Sequence, residues 1–184
     1  MTDRGVTLVE LLVVIAIVAI LAIALGFSYV GWQGAYKVEK VTKDIYTDLM
    51  DARSRAMGQG RMYFADFNFP SPPIGGGTYR LAEGADGVTD GDADGDGVID
   101  SPPHTILNSF PKTVDFPISL SATSIITFNK WGIIDPTDQT ICLSTTAIPD
   151  YDCIEVSQTR ITMGKLKTQI SAGGLCDATN CVAK

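Results

Sequence analysis

The chain has little histidine, and its charged residues are unevenly distributed along the sequence. Its one histidine, His104, follows two prolines, so a histidine-dependent metal centre or catalytic triad is not expected. Residues 11–27 contain no charged or polar side chain, and residues 83–100 contain no lysine or arginine. Together these two stretches exclude a plain cytosolic globule and a generally disordered acidic protein.

The negative charge is concentrated in one segment. Seven of the 21 acidic residues lie in residues 83–100, and the other 14 are balanced by 14 lysines and arginines. The net charge of −7 is therefore a local property. Because the overall field repels phosphate, a basic nucleic-acid-binding protein is not the first interpretation.

The apolar segment near the start of the chain has the length of a membrane-spanning helix. As a helix, residues 6–27 would measure about 33 Å, close to the roughly 30 Å hydrocarbon core of a bilayer. Thr7 and Glu10 are its polar interruptions, so it has no polar face. A buried core helix and a cleaved secretory signal are the alternatives, but the run exceeds the usual signal core of about 7–15 residues. We predict a single-pass helix over 6–27, with membrane lipid as a partner.

The start of this segment contains a specific motif. The run Arg4-Gly5-Val6-Thr7-Leu8-Val9-Glu10, followed by apolar residues, resembles the leader junction of type IV pilins and type II secretion pseudopilins. The resemblance implies that residues 1–5 are a leader peptide, which a prepilin peptidase removes by cutting between Gly5 and Val6. It also implies that Val6 becomes the N-methylated terminus, although most members of the family have Phe or Met there.

Glu10 then has a physical role in assembly. Cleavage creates a positive α-amine at Val6, and parallel packing of many such helices buries that amine among apolar side chains. A carboxylate four residues along neutralises the amine of its own chain or of a neighbour, and a buried charge without a partner is costly. We therefore predict that Glu10 sets the axial register between subunits.

Beyond the apolar segment, the pattern predicts a second helical half followed by a β-rich head. Apolar residues recur at helical spacing within residues 36–57, and Gly58 and Gly60 end the helix. The stripe consists of Val38, Val41, Ile45, Leu49, Ala52 and Ala56. We expect an N-terminal helix over residues 6–58 and a head over residues 59–184.

Short β-branched runs indicate antiparallel strands in the head. They are residues 62–69, 125–132, 140–143, 153–156 and 160–163. The predicted fold class is α+β, with the amphipathic half of a long N-terminal helix packed on an antiparallel β-sheet head. Phe128, Gly132 and the order of the following strands resemble the GspH/FimT branch of pseudopilins and minor pilins, which implies a pilin-like head.

The acidic loop, residues 83–100, has the ligand spacing of an EF-hand loop, in which carboxylates, a turn glycine and one carbonyl wrap a Ca²⁺ ion. The matching ligands are Asp92, Asp94, Asp96, Val98 (through its carbonyl) and Asp100, with Gly97 at the turn. Position 12 is Pro103 instead of glutamate, so Asp86, Asp90 or a distant group would complete the shell. A register that starts at Asp90 and a metal-free solvated loop remain open. We expect calcium as a cofactor.

All four cysteines lie in the C-terminal third of the chain. They are Cys142, Cys153, Cys176 and Cys181. No pair has C-x2-C spacing and the expected compartment is oxidising, so disulfides are favoured over zinc. Of three possible pairings, we favour Cys142–Cys153, which joins neighbouring predicted strands, and Cys176–Cys181, which closes a small loop.

The sequence shows no nucleophile–base pair or phosphate loop, so we do not expect an enzyme. The resemblance implies a structural subunit of a type IV pilus-like filament, for type II protein secretion or as a minor type IV pilin. It would sit in the inner membrane with a periplasmic head before joining a periplasmic or extracellular filament. Its partners would be other pilins or pseudopilins, the prepilin peptidase and an inner-membrane assembly platform.

Two other functions fit parts of the sequence. One is a membrane-anchored calcium-binding or adhesion domain that does not polymerise. The other is the DNA binding (competence) of some FimT-like minor pilins, which use a basic Gly-Arg-x-Arg motif. The aligned stretch Thr159-Arg160-Ile161-Thr162 lacks the glycine and the second arginine, so nucleic acid is not an expected partner.

Overall fold

One long helix and two antiparallel sheets make up the part of the chain that the computed structural model describes. That part comprises residues 7–67, 76–84, 105–107, 109–122, 124–135 and 138–184, with the backbone alone at 23–31, 105–106 and 135. The helix is α1 (Leu8–Gln59), and a 3₁₀ turn covers Ile170–Ala172. The strands are β1 (Tyr63–Asp66), β2 (Gly77–Glu83), β3 (Thr105–Ile106), β4 (Lys112–Val114), β5 (Ile118–Leu120), β6 (Ile125–Phe128), β7 (Ile134–Asp135), β8 (Gln139–Leu143), β9 (Cys153–Val156), β10 (Ile161–Leu166) and β11 (Cys181–Ala183).

Helix α1 is capped at both ends. It spans 52 residues, which corresponds to about 78 Å. At its start the Thr7 side chain accepts a hydrogen bond from the Glu10 N–H, as an N-cap residue does. At its end Gly60 adopts a left-handed φ of 69° and its N–H bonds to Ala56 O, a geometry that glycine reaches without steric cost. Gly58, predicted as a terminator, lies inside the helix.

The second half of α1 packs on the sheets through one stripe at spacings of three and four. The buried residues are Val38, Thr42, Ile45, Leu49, Ala52 and Ala56. Val41 of the predicted stripe is partly buried and packs against the core, whereas Thr42, which the prediction left out, is fully buried. Thr42 is tolerated there because its hydroxyl lies 2.9 Å from Val38 O and 3.2 Å from Tyr151 O, which satisfies the buried polar group.

The described strands pair only antiparallel. The first sheet has the order β3-β2-β1-β6-β7, with β4 on the other end of β2, and the second has the order β11-β10-β9-β8-β5. Their inner faces enclose the main core with α1, including Tyr63, Phe128, Ile141 and Ile154. The α+β class and the antiparallel pairing expected from the sequence are confirmed.

Strand β2 was not predicted, although at seven residues it is the longest strand described. The predicted acidic loop began at Glu83, whereas Glu83 is the last residue of β2 and pairs with Tyr63 across the ladder. Its carboxylate also forms an ion pair with Arg61. The predicted acidic loop therefore overlaps β2 by one residue, Glu83.

The disulfide pairing differs from the favoured one. The bonds are Cys142–Cys176 and Cys153–Cys181, with Cα–Cα distances of 5.8 and 6.0 Å. Cys142 and Cys153 do lie on neighbouring strands and are direct partners in the β8–β9 register. Directly opposed side chains have Cβ atoms about 4.5–5.5 Å apart, which exceeds the roughly 3.8 Å typical of a disulfide. Each cysteine instead bonds to the C-terminal segment that covers this outer face.

Phe128 and Gly132, the residues behind the second resemblance, lie at the far end of α1. Phe128 is fully buried in β6. Gly132 has a left-handed φ of 71°, and a Cβ added there would lie 2.7 Å from Met57 Cγ. The β6–β7 turn therefore requires glycine both for its backbone conformation and for its contact with the helix.

Candidate assembly surface

The first half of α1 exposes apolar side chains on every side. Eleven large apolar residues from Leu8 to Leu21 are exposed, from 49% at Val13 to 79% at Leu8. The second half of the same helix is packed against the head. An exposed apolar surface of this extent marks a contact with lipid or with another protein.

The only acidic residue of the described first half, Glu10, occupies the third position of the helix, where its backbone N–H donates to Thr7 Oγ1 at 3.3 Å. The Thr-x-x-Glu spacing is that of a capping box, a signal present in the sequence but not used in the prediction. An acid in the first turn is also favoured by the helix dipole. Glu10 thus belongs to the helix start as well as to the predicted charge pair.

The predicted processing residues Gly5 and Val6 lie outside the described residues.

Among the residues that the structure describes, no helix has both the length and the apolar character needed to cross a membrane. The predicted membrane segment 6–27 extends beyond that part of the chain at both ends, because residue 6 and the side chains of residues 23–27 lie outside it. Its membrane-spanning character stays a prediction.

A partly buried polar cluster joins the head to α1. Asp48 of the helix accepts hydrogen bonds from Lys112 Nζ at 2.6 and 2.8 Å and from the Tyr79 hydroxyl at 2.5 Å. Burial, reinforced by Asp48, raises the pKa of Tyr79 well above its usual range, so it stays a hydrogen-bond donor. Beside this cluster a cleft of about 460 Å³ opens between α1 and β4. The three residues are far apart in sequence, so no local pattern predicts their meeting.

The predicted calcium ligands all lie outside the described residues. They are Asp86, Asp90, Asp92, Asp94, Asp96, Val98 and Asp100. Within the described ranges, no three acidic, histidine or cysteine side chains gather where they could hold a metal ion. The described flanks do meet, since Glu83 and Thr105 are register partners and the Gly84 N–H bonds to Met62 O. Glu83 and Thr105, the described strand residues before and after these aspartates, are therefore neighbours in the first sheet.

Asp152 is the one buried carboxylate whose pKa is raised within the described residues. Burial is the main cause, and hydrogen bonds from Gln169 and the Leu166 N–H oppose it. These bonds measure 2.5 Å from Gln169 Nε2 and 2.7 Å from Leu166 N. Asp152 thereby ties β9 to the end of β10, and no nucleophile lies among these partners. Its role is structural.

This carboxylate predicts a pH-dependent stability. A raised folded-state pKa means that the folded head holds the proton more tightly, so its contribution is present below the ordinary Asp pKa of about 3.9 and is lost as pH rises through the raised value. We expect Asp152→Asn to flatten this part of the unfolding free energy profile. Asp152→Ala should lower stability by about 1–3 kcal/mol at all pH values, because the Leu166 N–H loses its acceptor. Urea unfolding at several pH values distinguishes them, and an unchanged profile in Asp152→Asn would contradict the assignment.

Comparison with known proteins identifies a family motif at the start of the chain. Residues 1–26 match the family model of the prokaryotic N-terminal methylation motif, which is typical of type IV pilins and pseudopilins and indicates a processed structural subunit. No curated protein and no solved structure matches the chain significantly. The predicted resemblance is confirmed for this motif, whereas the GspH/FimT branch stays a prediction.

Proposed function

We propose that this chain is a subunit of a type IV pilus-like filament. In this account a prepilin peptidase cuts between Gly5 and Val6, the apolar half of α1 anchors the chain in the inner membrane, and the same surface later packs against neighbouring subunits. The observation that carries the proposal is the division of one helix into a half packed on its own head and a half whose large apolar side chains are exposed on every side.

The exposed half must be covered by something apolar. Burial of apolar surface contributes about 25 cal/mol per Å², so eleven exposed large residues represent a strong drive toward lipid or toward other helices. The methylation motif favours both in succession, first the membrane and then a filament. The head would then lie on the filament surface.

The finer assignment is to a type II secretion pseudopilin or a minor type IV pilin. The Asp-x-Asp-x-Asp-Gly order of residues 92–97 supports a calcium-dependent pseudopilin. The disulfides that join the C-terminal segment to β8 and β9 support a pilin. Phe128 and Gly132, which hold the β6–β7 turn against α1, support the GspH/FimT branch.

The proposal is tested by crosslinking between subunits in membranes that also contain the assembly machinery. Ile15→Cys places a thiol in the exposed apolar half of α1, and Thr47→Cys places one on the exposed side of the packed half. Because each variant carries one free thiol, a crosslink joins two chains. We expect abundant crosslinked dimers from Ile15→Cys and far fewer from Thr47→Cys. A chain that stays monomeric with both variants would be a simple membrane anchor, which is the alternative function.

We also propose that the acidic segment binds Ca²⁺. At a Kd of about 10⁻⁴ M, typical of extracellular calcium modules, about 10 mM Ca²⁺ would stabilise the folded head by about 2.7 kcal/mol. We expect a higher Tm with Ca²⁺ than with equal Mg²⁺, and loss of the effect in Asp94→Asn/Asp96→Asn. Asp51→Asn, on the exposed face of α1, is the matched control. An unchanged Tm at millimolar Ca²⁺ would remove this part of the proposal.

A further inference from the structure

The loop between β8 and β9 presents an isoleucine to solvent. We call residues 144–152 the basal loop. Ile148 is 77% exposed, whereas Thr145 and Asp152 of the same loop are buried. The loop is held in place, because Thr145 Oγ1 accepts from the Ala147 N–H at 3.0 Å and Thr145 O accepts from the Ser171 hydroxyl at 2.5 Å. Ile148 is therefore presented by an ordered loop.

The basal loop lies against α1 directly after the apolar half. A Cβ added at Gly34 would be 3.5 Å from the Ala147 Cβ. The Asp150 N–H donates to Glu39 Oε1 at 2.9 Å, and Tyr151 O lies 3.2 Å from the Thr42 hydroxyl. These contacts place the loop beside residues 34–42 of the helix, at the end of the head nearest the apolar segment.

This position is close to the expected membrane surface. With the apolar segment ending at Phe27, Gly34 lies about 10 Å further along the helix. The headgroup layer extends roughly 5–8 Å beyond the hydrocarbon core on each side. Membrane helices are tilted by about 20° on average, and a tilt of that size lowers one side of the head by several ångströms. The basal loop is therefore within reach of the lipid headgroups.

The side chains at this level of the helix suit a lipid interface. Trp32 and Tyr36 stack with a centroid distance of 5.8 Å and are 64% and 58% exposed. Such aromatic rings are enriched at the boundary between membrane and water. Exposed Lys37 and Lys40 follow on the helix, and lysines next to a membrane are attracted to anionic lipids.

Two further lysines at this level contact acidic and aromatic side chains of the same chain. Lys43 and Lys184 lie 5.4 and 5.9 Å from the centre of the Tyr151 ring. Their acidic partners are Glu39 at 3.6 Å and Asp150 at 2.8 Å. Lys37 and Lys40, by contrast, are exposed on the same stretch of helix that the basal loop contacts.

We propose that the basal loop rests in the headgroup layer of the bilayer that holds α1, with the Ile148 side chain inserted among the headgroups. The inference rests on the proposed membrane anchoring. The occupant is lipid because the loop is fixed to the helix of its own chain, so anchoring brings it to the bilayer before any second subunit is present. Such a contact holds the unassembled head in one orientation, and entry into a filament has to release it.

The test uses fluorescence quenching in the full-length chain. Ile148→Trp is combined with Trp32→Phe and Trp131→Phe, so that position 148 carries the single indole. The chain is reconstituted at a high lipid-to-protein ratio into phosphatidylcholine–phosphatidylglycerol vesicles, with or without lipid brominated near the headgroup. Ile133→Trp in the same background is the matched control, because Ile133 is also exposed but lies beside Gly132 at the far end of α1.

We expect brominated lipid to remove most of the emission of Ile148→Trp and little of that of Ile133→Trp. If brominated lipid removed the same fraction of the emission from both variants, in a chain that floats with the vesicles, the basal-loop contact would be overturned and the membrane anchor would remain intact. Absence of quenching at low protein density, with burial of the indole only at high protein density, would also overturn it, because a second copy would then be the occupant. A chain that does not float with vesicles would refute the proposed anchoring itself.

Discussion

Glu10→Ala is expected to abolish incorporation into filaments while leaving the chain in the membrane. Removing the carboxylate leaves the α-amine of Val6 without its partner as helices pack, and an unpaired charge in an apolar interior typically costs about 3–5 kcal/mol. Because every subunit in the filament meets the same cost, assembly should fail rather than weaken. The measurement is the amount of variant in sheared or purified filaments, relative to the amount in membranes.

The structure adds a control for this experiment. Glu10→Ala keeps the backbone N–H that donates to Thr7 Oγ1, but it removes the glutamate of the Thr-x-x-Glu capping-box spacing. Glutamine is accepted at this position of a capping box but carries no charge. Glu10→Gln should therefore keep the helix start and still fail to assemble, whereas Thr7→Ala should cost only about 1 kcal/mol of helix stability. Normal assembly of Glu10→Gln would show that Glu10 acts through the helix start and not through its charge.

Loss of either disulfide is expected to destabilise the head strongly. The two bonds close loops with sequence separations of 34 and 28 residues, which corresponds to about 3.5–4 kcal/mol each in the chain-entropy model. Cys142→Ser/Cys176→Ser and Cys153→Ser/Cys181→Ser should each lower the Tm by roughly 10 °C or more, given a few degrees per kcal/mol for a domain of this size. Thermal unfolding followed by circular dichroism measures both.

The combination of variants also tests the pairing itself. Each double variant above removes one complete bond, so the other bond survives and no thiol should be free. Cys142→Ser/Cys153→Ser removes one partner from both bonds and should be the least stable of the three. If that variant were instead as stable as the other two and kept a Cys176–Cys181 bond, the pairing described here would be wrong.

Local patterns in the sequence predicted the elements that depend on local physics. The helical stripe from Val38 to Ala56 was readable because one face of α1 is buried along its whole second half. The strands around Ile126, Ile141 and Ile154 were readable because their β-branched runs are bounded by turn residues. Gly132 was singled out by resemblance, and the structure gives the reason in its contact with Met57.

The features that were missed depend on distant parts of the chain. Strand β2 carries Arg80 and Glu83, which are accommodated because Asp66 and Arg61 meet them from other elements. The disulfide pairing depends on where the C-terminal segment crosses the second sheet, which spacing alone does not fix. Thr42 is buried because a carbonyl more than one hundred residues away lies beside it. None of these partners is visible in a sequence window.

The mass and N-terminal sequence of the mature chain test the central claim most directly. Full-length protein from cells that contain a prepilin peptidase should yield a chain that begins at Val6, with one methyl group on its amine and with residues 6–27 retained. A mature chain that begins at Met1, or that begins beyond residue 27, would contradict the account, because neither would carry the buried amine that Glu10 is proposed to neutralise.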